Sequence, residues 1–356
     1  MGQLSSTAYY TRQIIKIGSI VLVVLIFVQI TVMYLYNTFI KNRSQKPPPP
    51  QVAYGQLPPL DFPPSDPNIN FQFRLETISG RLPTEFPDRA EVYINVVTKP
   101  NLLDYSRAQK NAQRLGFPDS GIPFDPPMYR WLSQEPVAGI LEYDTLKNTF
   151  DMVYDWERNE RVYVSSNKST VTDNNVFRSA QGVLTRSGIG QGPWLSKESR
   201  FAVLYYRYVN GQIVKVDHES KADFFQVNFQ RSPLNGLEFV SADPYRPVVW
   251  ALVSRNGLRV AEFHYNYYPI DEASHTDYPL APIETAWQEV RDNKAYIATM
   301  GDNLPGNEVI IRHFQLAYYL SNKFQKFTQP VYIIKGDGGF TAYVPAIDRQ
   351  LIQSNQ

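Results

Sequence analysis

Apolar positions follow two regimes along this chain. From Ile17 to Ile40 they form one run, IGSIVLVVLIFVQITVMYLYNTFI, without a charged residue. As a helix its 24 residues would span ~36 Å, more than the ~30 Å of a hydrocarbon core. No later stretch matches it in length and apolarity. The pattern predicts one transmembrane helix at 17–40, with residues 1–16 as a short tail before it and the rest on a single side. A cleaved signal peptide has a shorter apolar core and a small-x-small exit, whereas this run leaves through Asn37-Thr38-Phe39-Ile40-Lys41.

Downstream, apolar positions alternate or recur at helical spacing. Phe71–Leu82 and Glu91–Thr98 alternate and predict half-buried strands. Leu103–Gly116 predicts a helix, with Leu103, Ala108, Ala112 and Leu115 near one face and Gly116 placed to end it. Strands follow at Met128–Leu132, Val137–Tyr143 and Phe150–Trp156. The same order then returns. Ala108-Gln109 matches Ala180-Gln181, Arg114 matches Arg186 and Gly116-Phe117 matches Gly188-Ile189, all at an offset of 72. Strands recur at Phe201–Tyr208, Gln212–Asp217 and Phe224–Phe229, and Phe150/Val153 returns as Phe224/Val227 at an offset of 74. A third helix, Ile283–Asp292, precedes strands at Ala295–Thr299, Val309–Leu320, Val331–Lys335 and Phe340–Val344, the last two joined by a Gly336-Asp337-Gly338-Gly339 turn. The expected fold class is α+β, with repeated helix-plus-antiparallel-sheet units. It divides into regions at 71–232 and 233–347 and a C-terminal tail at 348–356.

Between Pro47 and Pro67, nine of 21 residues are Pro. Such a stretch favours polyproline II and acts as a semi-rigid spacer. Residues 41–70 are therefore expected to form a stalk, with the Pro47–Pro67 stretch reaching up to ~65 Å at ~3.1 Å per residue. Charge does not orient the helix: Arg12 and Lys16 precede it, and Lys41, Arg43 and Lys46 follow it. Residues 47–356 carry 30 basic against 34 acidic residues, a net of −4. That balance, without a basic stretch, argues against nucleic acid. Cys is absent, which removes disulfides and thiolate metal sites. The 24 Tyr, 20 Phe and 5 Trp suit a β-rich core.

Candidate chemistry is sparse. The four histidines (His218, His264, His275, His313) lack the spacing that places two on one helical face. His264 and His313 fall in strand candidates and are expected to be ordinary surface or edge residues. Asp271, Glu272, His275 and Asp277 could gather around a cation, or simply form a solvated loop. Ser165-Ser166-Asn167-Lys168 contains one Ser-x-x-Lys, without the Ser-Asp-Asn and Lys-Thr-Gly partners of penicillin-recognising enzymes. Gly188-Ile189-Gly190-Gln191-Gly192 resembles a phosphate-cradling loop but follows a helix rather than opening one, so it is expected to end that helix. Trp131, Trp156, Trp194, Trp250 and Trp287 are expected mainly in the core. No catalytic, metal or cofactor-binding residue is assigned. In the membrane, Gln29 and Thr31 are candidates for contact with another helix, each bond worth ~0.6–2 kcal/mol.

The anchor, the repeated AQ-x4-R-x-G-[FI] helix, and the tract Tyr267-Tyr268-Pro269…Tyr278-Pro279-Leu280…Ala286-Trp287 resemble the YycH/YycI-type regulatory proteins. Pro330-Val331-Tyr332…Phe340-Thr341-Ala342-Tyr343-Val344-Pro345 has the same character. The resemblance implies PepSY-like units, a cytoplasmic amino terminus and an extracytoplasmic domain at the cell membrane. It also implies non-enzymatic regulation or scaffolding of a membrane protein such as a cell-wall-regulating sensor histidine kinase. The Pro-rich stalk departs from that family, and so does the double helix–strand unit. The alternative is a stalk-held module binding cell-envelope glycans or peptides, and an envelope enzyme is a third class.

Overall fold

The computed structural model describes residues 3–36, 49–64, 69–96, 98–134, 137–164, 170–189 and 192–353. It comprises two compact units, Met1–Pro49 and Pro50–Gln356. The first is built on one helix, α1 (Gln3–Leu35). Within it, Ile15–Leu35 has a mean hydropathy of 2.5 and is long and apolar enough to cross a membrane. The expected separate tail at 1–16 is instead helical from Gln3, because no Pro or Gly interrupts Gln3–Lys16. The expected end of the helix, 37–40, lies outside the described residues.

The second unit begins with β1 (Gln72–Leu75), β2 (Arg89–Asn95) and α2 (Asp104–Leu115). A meander follows: β3 (Ile122–Asp125), β4 (Met128–Ser133), β5 (Gly139–Asp144) and β6 (Thr149–Tyr154). After the one-turn α3 (Glu160–Tyr163) come α4 (Asp173–Arg186), β7 (Arg200–Val209), β8 (Gln212–Val216), β9 (Phe224–Gln230), β10 (Glu238–Ser241), β11 (Val249–Ser254) and β12 (Val260–Tyr265). The chain closes with β13 (Ile270–Pro279), α5 (Ile283–Arg291), β14 (Tyr296–Thr299), β15 (Glu308–Leu320), β16 (Phe327–Thr328), β17 (Pro330–Gly336) and β18 (Thr341–Pro345).

Nine strands form one antiparallel sheet in the order β3-β4-β5-β6-β12-β11-β9-β7-β8. Both α2 and α4 pack on one of its faces. Ala108, Ala112 and Leu115 from α2, and Val176, Ala180, Val183 and Leu184 from α4, share a core with Trp131, Phe150, Val227 and Phe263. Small residues at Ala108 and Ala180 let each helix approach the sheet closely. Gly116 ends α2 at φ +98°, with Phe117 N–H bonded to the Ala112 carbonyl at 2.9 Å, the left-handed ending its sequence predicts. Thr172 caps α4 by accepting from Asn175 N–H.

A second sheet runs β1-β15-β17-β18-β14, with β10 also paired to β15, and a small third sheet runs β13-β2-β16. Helix α5 covers the second sheet through Ile283, Ala286 and Val290.

Four expectations are corrected. Position 232 is not a boundary, because β11 and β12 return to pair with β9 and β6 and complete the nine-stranded sheet. The offset of 74 does not preserve the face. Phe150 belongs to the helix-side core, whereas Phe224 packs with Trp156 and Trp250 on the opposite side. Side-chain direction alternates along a strand, so an odd–even slip inverts it. Asp271, Glu272, His275 and Asp277 lie in β13 rather than a loop, at a bulge between Asp271 and His275. Finally, the strand expected over 71–82 stops at Leu75, where a turn held by Thr77 Oγ1 on the Arg81 carbonyl begins.

The stalk is also not a free spacer over its described length. Leu57 is fully buried, and its N–H and carbonyl pair with Leu351 and Gln353 at 2.8 Å each. Val52 and Tyr54 join the core beneath α5, and Leu60 and Phe62 pack against the opposite face of the second sheet. A turn in which Gly55 N–H bonds the Val52 carbonyl at 3.1 Å, with both residues at positive φ, breaks the extended chain of this strap. The expected tail at 348–356 is docked as well, with Arg349 ion-paired to Glu289 at 2.6 Å; residues 37–48, 65–68 and 354–356 lie outside the described residues.

Leu57→Ala in the full-length protein should cost ~2–5 kcal/mol in urea melts and open residues 50–64 to protease; a loss under ~1 kcal/mol would mean that the strap rests on the core without stabilising it. A second expectation concerns Gly301. It sits at φ +57°, where a Cβ would lie 1.9 Å from the Gly338 carbonyl oxygen, whereas Gly306 at φ +87° faces open space. Gly306→Ala carries only the left-handed penalty of ~1–2 kcal/mol. Gly301→Ala should exceed it by ~2 kcal/mol or more, because the backbone itself must move.

Candidate functional site

The residues singled out by the sequence are not brought together. In α1, Thr31 Oγ1 donates to the Phe27 carbonyl at 2.8 Å, so its hydroxyl is satisfied without a second helix. Gln29 is exposed on the same helix. His218 caps the short turn at Glu219–Lys221, and His313 is exposed on β15. The His275 ring lies tilted against Tyr93, with centroids 5.5 Å apart. Asp271 holds the β13 bulge by accepting from Ala273 N–H and Ser274 Oγ. Among the described residues, no group of three or more His, Asp or Glu is arranged to hold a metal ion. The Ser-x-x-Lys at 165–168 lies outside the described residues, as do Gly190 and Gln191. Trp131, Trp156, Trp194 and Trp250 are buried.

Strand register assembles what spacing did not show. Residues paired across neighbouring strands share a face. On the face opposite α2 and α4, one row runs Arg130, Glu142, Asp151, His264, Trp250, Asn228 and Ala202, each in register with the next. His264 is therefore not an edge residue, because β12 lies between β6 and β11. Its Nδ1 lies 2.6 Å from Asp151 and its Nε2 3.3 Å from Glu262, while its ring stacks on Trp250 at 4.2 Å. Trp156 Nε1 donates to Glu262 at 2.8 Å. Burial alone would lower the His264 pKa, but hydrogen bonds to Asp151 and Glu262 overcome it and raise it to about 9. Burial likewise pushes Glu262 upward, and the bonds from His264 and Trp156 leave its pKa lowered. The imidazole is thus a clamped cation. Both ring nitrogens face carboxylates, leaving none to take a proton from a nucleophile.

The cleft lies farther along the same face. Between the nine-stranded sheet and the second sheet is a cavity of about 350 Å³. Its floor carries Ala202, Leu204 and Asn228, and its far wall carries Gln315, Ile333, Lys335, Thr341 and Tyr343. Phe239 and Ser241 of β10 form one side, and residues 243–248 arch over it. That arch is fixed from below. Asn228 Nδ2 donates to the Tyr245 carbonyl at 3.0 Å, as does Gln226 Nε2, which also donates to Asn228 Oδ1 at 2.7 Å.

Charges around the cleft differ in commitment. Arg231 is spent on Tyr267 and Glu272 at 2.9 and 3.0 Å, and Glu238 pairs with Arg200 at 3.1 Å. Lys335 and Asp243 form no ion pair with any described residue, although Lys335 Nζ reaches Gln315 Oε1 at 3.4 Å. Burial pushes the Tyr343 hydroxyl well above its usual range, so it stays protonated. The lining contains no histidine. Side-chain amides, hydroxyls, aromatic walls and one accessible charge of each sign suit recognition of a small polar molecule.

Comparing the melting temperature of the native protein with that of His264→Gln across pH tests the clamp. A group whose folded pKa is raised stabilises fully below its unfolded value of 6.5 and loses that contribution as pH rises through about 9. The native advantage, expected at about 2–5 °C near pH 6, should shrink steadily between pH 6.5 and 9. A difference that does not change with pH would show that His264 contributes by packing on Trp250 alone.

No protein-family model matches the chain, and no curated protein matches it. Among solved structures it is similar to the crystal structure of an uncharacterized protein from Eubacterium rectale. The match has 11% identity over 72% of this chain and 82% of that one, with a TM-score of 0.38, too loose a likeness to carry an argument.

Proposed function

We propose that this chain is a single-pass membrane-anchored binding protein whose inter-sheet cleft takes a short zwitterionic peptide, of the kind found in cell-envelope material. One observation carries this reading. The cleft presents Lys335 and Asp243, opposite charges without ion-pair partners among the described residues, on either side of an amide-bearing floor at Asn228. Amides donate and accept at once, matching a peptide backbone, and a preformed arch reduces the ordering cost of binding. The N-terminal helix supports anchoring by its length and apolarity, although secretory leader sequences share that property. Regulation of a membrane partner through α1 is the second function class, and it needs α1 itself rather than the cleft.

The test uses full-length protein in neutral detergent, with trialanine and N,N′-diacetylchitobiose as probes. Trialanine is expected to bind saturably and to weaken at least tenfold in Lys335→Gln and in Ala202→Trp, which fills the floor. Saturable binding of the disaccharide alone would replace the peptide with a glycan. Failure of both probes would sink the cleft reading. Replacing Ile15–Leu35 with an unrelated apolar helix should leave the trialanine constant unchanged, whereas a regulator acting through its helix would lose its membrane partner in that variant.

A further inference from the structure

A second cavity, of about 360 Å³, shares no lining residue with the cleft. Arg107, Lys110, Asn111 and Arg114 reach it from α2, Tyr143 from β5, Thr145 and Asn148 from the β5–β6 connection, and Gly188 from the chain after α4. Positions 107, 110, 111 and 114 fall on one helical face at i, i+3, i+4 and i+7, so the sequence concentrates three cations there. One carboxylate, Asp104, also lines the cavity, and it is engaged by Arg107. The charged lining therefore sums to +2. Neither the Lys110 nor the Arg114 side chain has a hydrogen bond or ion pair with any described residue. Like charges gathered this way repel in the empty protein, which is a cost unless something anionic relieves it.

Gly188 leaves room for the guanidinium. It sits at φ +72°, and a Cβ there would lie 2.7 Å from Arg114 Nη1 and from Asn111 Oδ1. A side chain at this position would push both groups away. The polar wall is ordered rather than loose: Asn111 Nδ2 donates to the Tyr143 hydroxyl at 3.2 Å, and that hydroxyl donates to Asn148 Oδ1. The glycine that begins the Gly188–Gly192 segment thus lies beside a cationic cavity, although the loop does not open a helix.

We infer that this cavity binds a phosphate-type oxyanion, with the Arg114 fork taking two oxygens and Lys110 supplying a second positive charge. Guanidinium geometry matches phosphate in a bidentate manner, and the ammonium acts as a point charge. The ligand is a phosphate dianion, whether free or on a lipid headgroup.

The experiment titrates full-length protein in a phosphate-free neutral detergent at pH 7.5 with inorganic phosphate, following heat by calorimetry against sodium chloride at matched ionic strength. Saturable binding beyond the chloride control is expected, weakened at least tenfold in the double variant Lys110→Gln/Arg114→Gln. Both positions are exposed, and an unchanged melting temperature without phosphate will show that the variant folds. Asn111→Leu, which keeps the charges and removes the polar wall, should weaken binding by a smaller factor. Absence of saturable binding would overturn the site, as would full retention in the double variant. Soluble dihexanoyl phosphatidic acid, titrated below its micellar concentration, separates the sources. A tighter constant than that of phosphate assigns a lipid headgroup, and an equal or weaker one assigns a soluble phosphate, both upholding the site.

Discussion

The ladder between β6 and β12 is the joint on which this domain depends. It pairs Phe150, Asp151, Met152 and Val153 with Tyr265, His264, Phe263 and Glu262. On the helix side, Phe150 stacks on Phe263 and Tyr265 at 5.7 and 5.8 Å. On the other side, His264 meets Asp151 at 2.6 Å. Without this ladder, the β3–β6 meander under α2 and the β7, β8, β9, β11 and β12 strands under α4 would be two smaller sheets, each with an unpaired inner edge. With it, both helices share one core, and a single row of side chains crosses seven strands. The seam is held by aromatic burial on one face and by charge on the other, so added salt alone or a change of pH acts on only one of the two.

Much of this was legible in the sequence where one period dominated. α2 and α5 carry apolar residues at helical spacing and lie within one residue of their expected bounds, α4 falls where the offset of 72 implies a second helix, and β4–β9, β14, β15, β17 and β18 lie within two residues of the strands expected there. What escaped had other physical causes. β11 is buried at every position, so its apolar run has no alternation to show. β13 is a polar strand, DEASHTDYP within Ile270–Pro279, that earns its place through pairing with β2 rather than through its own pattern. The strap was read from its prolines, while the aromatic and aliphatic residues set between them decided its fate.

The sites were less visible than the fold because they are products of register. Asp151 and His264 are 113 positions apart, and Asn228 and Lys335 come from different sheets. Glu262 and His264 did carry a local signal, two polar residues at strand spacing flanked by apolar ones. Their partner on β6 could be identified only once the order of strands was known. The two long helices α2 and α4 cover one face of the nine-stranded sheet, which leaves the other to hold most of its polar groups beside a smaller apolar cluster under α3. That division explains why the clamped histidine and the inter-sheet cleft lie on the same side.

Docking of the strap has a consequence for the order in which the protein can be made. Gln353 Nε2 bonds the Gln56 carbonyl, 297 positions earlier. β1 pairs with β15, and β2 with β13 and β16. Nearly everything between Pro50 and Asn95 therefore has its partner after residue 269. A ribosome delivers α1 first and these partners last. The nine-stranded sheet can close once Tyr265 has emerged, but the segment that follows α1 must wait for almost the whole chain. During synthesis, the part of the domain made first is the last to fold, and its exposed apolar residues are the ones a chaperone would need to hold.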